Sequence, residues 1–201
     1  MQKILAPYLL NHNVFLNPIG LDGGFNYDRL KFNIIKLLNG DQDAYVTTLV
    51  DLYGLKGDYP GQAINRTRAA FDKAQNMEYA MELDILSSKP IHNTKFIPYF
   101  QLHEFEALLF SDPSILEESL SLDRPLKRGC FNKISAQFNS PEHINDNPLT
   151  APSKRIILIA PYYDKVADGT TILEIIGLPK IREECQHFNG WVTKLEELGI
   201  Q

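Results

Sequence analysis

The chain has 201 residues, a net charge of −5, 44% apolar and 22% charged residues. That length suits one compact domain with a core of its own. The acidic balance argues against a free-standing, non-specific nucleic-acid binder, which is ordinarily basic. An enzyme that meets nucleic acid through a metal or a partner stays open. The longest apolar runs, such as residues 156–161, fall well short of the ~20 residues of a membrane span. The amino terminus carries no cleavable signal pattern. Two cysteines, Cys130 and Cys185, stand far apart and outside any CxxC. Together these features predict a cytoplasmic protein without structural zinc.

In chain order, Ile4, Leu5, Tyr8 and Leu9 form a helical stripe. Pro7 inside it should kink the helix or mark its start. Residues 14–19 are a short apolar run and predict a strand. Gly20, Gly23 and Gly24 predict a turn. Tyr27, Leu30, Ile34, Leu37 and Leu38 recur at helical spacing, and Gly40 should stop that helix. Residues 45–50 are β-branched, aromatic and uncharged, which predicts a buried strand of a parallel sheet. Asp51 ends it. Residues 52–62 hold three glycines and Pro60 and predict a loop. Phe71, Ala74, Met77, Met81 and Ile85 stripe a long helix. Residues 96–100 predict a second strand, with Pro98 placing it at an edge or a bulge. Residues 104–110 follow as a helix.

Beyond Asp112 strand signals fade, and prolines punctuate short helices up to a final helix carrying Phe188, Trp191, Leu195 and Leu198. The expected architecture is a single α/β domain over residues 1–201. A mostly parallel sheet core flanked by helices occupies residues 1–110, and an all-α extension occupies residues 111–201.

Three places could carry chemistry. Asp51 follows a predicted core strand, and open α/β sheets bind ligands at the carboxyl ends of their strands. His103, Glu104 and Glu106 follow the second strand in the same way. Asp51, Glu104 and Glu106 together would offer oxygen ligands to Mg2+ or Mn2+, and His103 could act as acid or base. The same two glutamates could instead favour a helix amino terminus. Third, Thr150 and Pro152 are helix-start residues, so Ser153, Lys154 and Arg155 belong to a first helical turn. Cations there oppose the helix dipole and call for an anion. Glu142 or Asp146 could supply it, and so could a bound phosphate. No Walker A, GxGxxG or GxSxG motif is present.

Three blocks of sequence carry a family resemblance. The first is residues 45–48 leading into Asp51, Leu52, Tyr53, Gly54 and Leu55. The second is residues 96–99 leading into residues 101–110. The third is Ser140, Pro141 and Glu142 with Ile144, Asn145 and Asp146, followed by residues 151–155. With Gly177, Leu178, Ile181, Arg182 and residues 185–188, they resemble the bacterial family catalogued as domain of unknown function 4276. That family is similar to Toprim-like domains, the metal-dependent fold of topoisomerases, primases and certain nucleases. Its genes often neighbour ATPase genes with a suspected antiphage role.

The resemblance implies a Toprim-like core and a nuclease-type or degenerate phosphodiester-handling role in the cytoplasm, with an ATPase as partner. Asp51, His103, Glu104 and Glu106 would be the catalytic positions, with the cation on Asp51, Glu104 and Glu106. Ser153, Lys154, Arg155 and Asn145 would hold the phosphate backbone. Two departures stand out. Tyr53 occupies the second acid of the Toprim Asp-x-Asp pair. The chain also begins after the strand and Glu-Gly motif with which family members usually open. A non-enzymatic subunit that docks on an ATPase is the competing expectation, and such an adaptor should expose an apolar patch.

Overall fold

The computed structural model describes residues 1–21, 26–55, 58–63, 69–88, 95–122, 124–144 and 149–200. The chain divides into two compact units, residues 19–102 and residues 1–18 together with 103–201. The architecture is mixed α/β, rich in helix, with short parallel strands.

Residues 19–102 form the sheet unit. Helix α2 (Tyr27–Gly40) is closed at its start by Asn26, whose side chain accepts the Arg29 N–H. Its buried face is Tyr27, Leu30, Ile34 and Leu38, and α3 (Ala70–Ser88) buries Ala74, Met77, Met81 and Ile85. The helical spacings read from the sequence therefore mark true core faces. Two short strands follow α2 and two follow α3. β1 (Val46–Thr47) pairs in parallel with β3 (Phe96–Ile97), and β2 (Val50–Asp51) pairs in parallel with β4 (Phe100–Gln101).

Each continuous strand expected from the sequence is thus broken at its middle. The cause is Pro98, which has no N–H to give to a ladder. Thr48 takes over there: its hydroxyl accepts the Tyr99 N–H at 2.9 Å and lies 3.1 Å from the Tyr99 carbonyl. Glu78 of α3 accepts the Phe100 N–H at 2.9 Å. The expected turn at Gly20–Gly24 lies largely outside the described residues.

Residues 1–18 and 103–201 form the helical unit. Helix α1 (Gln2–Leu10) carries Pro7 within it. It ends where Asn13 takes a left-handed φ of 59° and the Val14 N–H returns to the Leu9 carbonyl at 3.0 Å. That closure explains why residues 14–19 form no strand despite their apolar run: they leave a helix end and reach Pro18 with no ladder among the described residues. The helix expected over residues 104–110 is a 3-10 helix, Phe105–Ser111, buried from Glu106 onward. Helices α4 (Pro113–Ser121), α5 (Cys130–Ser135), α6 (Pro152–Ile159), α7 (Ala167–Ile176), α8 (Leu178–Glu184) and α9 (Gln186–Glu196) make up the rest. The 3-10 helix is the hub, packing against α4, α6, α7 and α8. No helix among the described residues is long and apolar enough to cross a membrane.

A polar clamp joins α1, α8 and α9. Tyr8 donates to the Glu196 carboxylate, and Arg182 donates to the same carboxylate, with its second nitrogen 3.1 Å from Oε2. Arg182 also meets Asn189 at 2.6 Å. Burial alone would raise the Glu196 carboxyl, but the bonds from Arg182 and Tyr8 outweigh it and hold the group below its ordinary 4.5. An acid depressed in the folded state contributes stability above its unfolded pKa and loses it as pH falls through the folded value. The urea midpoint should therefore drop as pH falls below 4.5. Glu196→Gln should show a lower midpoint at neutral pH and a flatter acid limb. An unchanged acid limb in Glu196→Gln would remove Glu196 from the account.

Candidate functional site: carboxylates at helix starts

The backbone leaves β4 through His103, a buried residue with a left-handed φ of 62°. Such a conformation in a non-glycine residue costs on the order of 1–3 kcal/mol and persists only where its surroundings enforce it. It turns the chain into Glu104, the extended residue just before the 3-10 helix. Glu104 does not cap that helix. It reaches instead to α6, where Oε2 accepts the Ser153 N–H at 3.0 Å. The residue at the N-cap of α6 is Ala151, which has no side chain able to accept, and Pro152 supplies no N–H. Glu104 therefore provides the acceptor that the local sequence lacks.

The same solution recurs twice. Helix α9 has Cys185 at its N-cap, with no capping bond of its own. Glu142, almost wholly buried, accepts the His187 N–H on Oε2 and the Phe188 N–H on Oε1, each at 2.9 Å. Burial raises the Glu142 carboxyl above its ordinary value, and the two N–H groups oppose that rise. Helix α5 begins after Gly129. There Glu117 accepts the Gly129 N–H at 2.7 Å and sits 3.2 Å from the Cys130 sulfur. Burial and Glu117 push the Cys130 thiol up to about 11, and burial pushes Cys185 up strongly as well. Neither thiol is activated as a nucleophile.

These contacts relocate several expectations. Ser153, Lys154 and Arg155 do sit in the first turn of α6. The anion there is Glu104 rather than Glu142, because Glu142 serves α9. Arg155 turns inward: its Nε donates to the Thr150 carbonyl at 2.7 Å, and the guanidinium lies 5.3 Å over the Phe138 ring. Lys154 is exposed. Asn145 and Asp146 lie outside the described residues. Asp51 is the last residue of β2 in the sheet unit, in register with Gln101. His103, Glu104 and Glu106 belong to the helical unit.

Glu106 is the exception among these acids. It has no exposure, and among the described residues no uncharged donor bonds its carboxylate. The Lys165 ammonium lies 2.9 Å from Oε2 as an ion pair. Beside it the Tyr163 hydroxyl is also buried without a hydrogen bond. Burial raises that phenol far above its ordinary pKa, followed by the charges of Glu106, Asp168, Asp164 and Glu104. No spacing or motif singles out Tyr163 or Lys165. For the remote caps a signal did exist: helix starts with Ala, Gly or Cys in the cap position, such as Ala151, Gly129 and Cys185, must find acceptors elsewhere.

The fit of Asp51, Glu104 and Glu106 to a divalent cation can be judged from their partners. Glu104 is engaged by Ser153 and Glu106 by Lys165. Among the described residues no group of three or more His, Cys, Asp or Glu gathers so as to hold a metal ion. Glu104 and Glu106 thus already have protein partners, and no reaction step is derived through a metal.

The whole-chain comparison now bears on the three sequence blocks. The chain belongs to the family Domain of unknown function (DUF4276). The family model matches residues 1–196. No match was found among curated proteins or among solved structures.

The capping role is open to test. Glu142→Ala leaves two buried N–H groups without acceptors and should destabilise by about 2 kcal/mol or more. Glu104→Ala removes one acceptor and should cost about 1 kcal/mol. Urea unfolding should rank the two in that order, and midpoints equal to wild type would refute the role.

Proposed function

We propose that this member of the family is a Toprim-like, cytoplasmic component of an ATPase-linked antiphage system that works by docking on its partner. In this reading its acids have passed from phosphodiester chemistry to holding helices together. The observation that carries the reading is the engagement of Glu104 by the Ser153 N–H at the start of α6. A second observation supports the docking face. Helix α6 leaves Ile157 42% and Leu158 84% exposed, and Leu149 in the turn before it is 84% exposed. Lys154 shares the exposed side with them, at i, i+3 and i, i+4 spacing. Such a face suits a partner groove that is apolar at its centre and acidic at its rim.

Asp51 supports a second reading. It stands at the carboxyl end of a parallel strand, where open α/β sheets place ligands. There the chain would be a metal-dependent nuclease-type protein.

Two measurements separate the readings. Co-purification with the proposed ATPase partner should fall roughly tenfold or more in an Ile157→Asp, Leu158→Asp double variant. That variant should stay folded, because both side chains already face solvent. Retained co-purification would refute the docking face. Cleavage of DNA or RNA with Mn2+ by the wild-type chain, abolished in Asp51→Ala, would establish the nuclease reading instead.

A further inference from the structure

We infer that a cavity walled by α4, α5 and α8 is a binding site for a small primary amine, taken as its ammonium ion. The site lies wholly within the helical unit and shares no lining residue with the proposed docking face.

The cavity measures about 250 Å3. Pockets for drug-sized ligands run from about 300 to 1,000 Å3, so this one suits a smaller molecule. It is bounded by the end of the buried 3-10 helix, the start of α4, the end of α5, the short turn Pro141–His143 and α8. Phe110, Pro113, Phe138, Pro141 and Ile144 give it apolar walls against which an alkyl stem can lie. Asn139 on the lining is exposed and the Lys180 side chain is 38% exposed, so the cavity is reached from solvent.

The polar part of the lining is rich in acceptors. Asp112 caps α4 through Oδ1, which takes the Ser114 and Ile115 N–H groups at 3.0 Å each. Its Oδ2 has no part in those bonds. Glu184 holds the Lys180 ammonium through Oε1 at 2.5 Å, which leaves Oε2 outside that pair. Ser135, the last residue of α5, has its hydroxyl oxygen buried with no hydrogen-bond partner among the described residues. A buried polar atom in that state calls for a partner, and this one borders the cavity.

Charge decides the class of ligand. The cation of the lining, Lys180, is shared between Glu183 at 2.9 Å and Glu184. An anion would have to draw it away from both. An ammonium group has three donors and no acceptor, and it finds acceptors in Asp112, Glu184 and Ser135 without breaking a bond already made. The aromatic wall suits a cation as well: Phe138 already carries the Arg155 guanidinium 5.3 Å from its ring centre.

The diamine putrescine is the probe. It would be titrated into the isotope-labelled full chain near neutral pH, with amide resonances followed by NMR. Saturable shifts centred on Ser111, Ser135 and Asn139 are expected. Butanediol, the uncharged counterpart of the same length, should bind about tenfold or more weakly, because a hydrogen bond between charged groups is much the stronger kind. Asp112→Asn keeps an acceptor at the start of α4 and should weaken putrescine binding roughly tenfold. The comparison of putrescine with butanediol uses the unaltered chain, so it decides the matter even if the variant fails to fold. Shifts that do not saturate, or that centre on acidic surface away from the cavity, would overturn the inference. So would equal binding of butanediol, or unchanged putrescine affinity in folded Asp112→Asn.

Discussion

The first turn of an α-helix carries N–H groups that no residue of that helix can accept. In the helical unit this constraint is acute, because several helices are short and α1, α5, α6, α7, α8 and α9 start without a bond from the side chain of the cap residue. Glu104, Glu117 and Glu142 meet it from a distance in the chain, separated from the amides they accept by 49, 12 and 45 positions respectively. Each contact works twice. It satisfies donors that have no partner within their helix, and it places negative charge at the positive end of a helix dipole. It also pins one part of the chain to another, so the helices hold their places through these carboxylates as well as through the buried 3-10 helix Phe105–Ser111.

The sheet unit solves a related problem. Pro98 breaks the parallel ladder, and the groups it leaves unpaired are met by a hydroxyl and a carboxylate. Thr48 serves Tyr99 and Glu78 serves Phe100. Two pairs of two-residue strands result, packed against α2 and α3. The unit still presents Asp51 at the carboxyl end of β2, where the nuclease reading takes its support.

Much of this was legible from the residues alone. The stripe from Phe71 to Ile85 and the spacing from Tyr27 to Leu38 named the buried faces of α2 and α3, because a period near 3.6 survives any tertiary context. The start of α6 was legible from Thr150 and Pro152. The strand expected over residues 14–19 was misread, since a short apolar run carries no information about whether a partner strand exists. The roles of Glu104 and Glu142 were hidden for a different reason. A carboxylate beside an aromatic-rich strand reads equally as a metal ligand or a helix-favouring charge, and the choice depends on which distant helix start lacks a cap. Only Ala151, Gly129 and Cys185, poor caps at helix starts, hinted at the answer. Tyr163 and Lys165 were invisible because their meaning comes entirely from the buried Glu106 they approach.

On this account Glu104, Glu117 and Glu142 hold helix starts in the helical unit, and the proposed function rests on a docking face. The claim beneath it is that remote carboxylates hold the helix starts. Hydrogen exchange at single-residue resolution near neutral pH tests this most directly. First-turn amides have no partner within their helix and ordinarily exchange fast, so protection at Gly129, Ser153, His187 and Phe188 is the predicted result. Exchange of these four amides at unprotected rates, in a chain whose mid-helix amides remain protected, would contradict it.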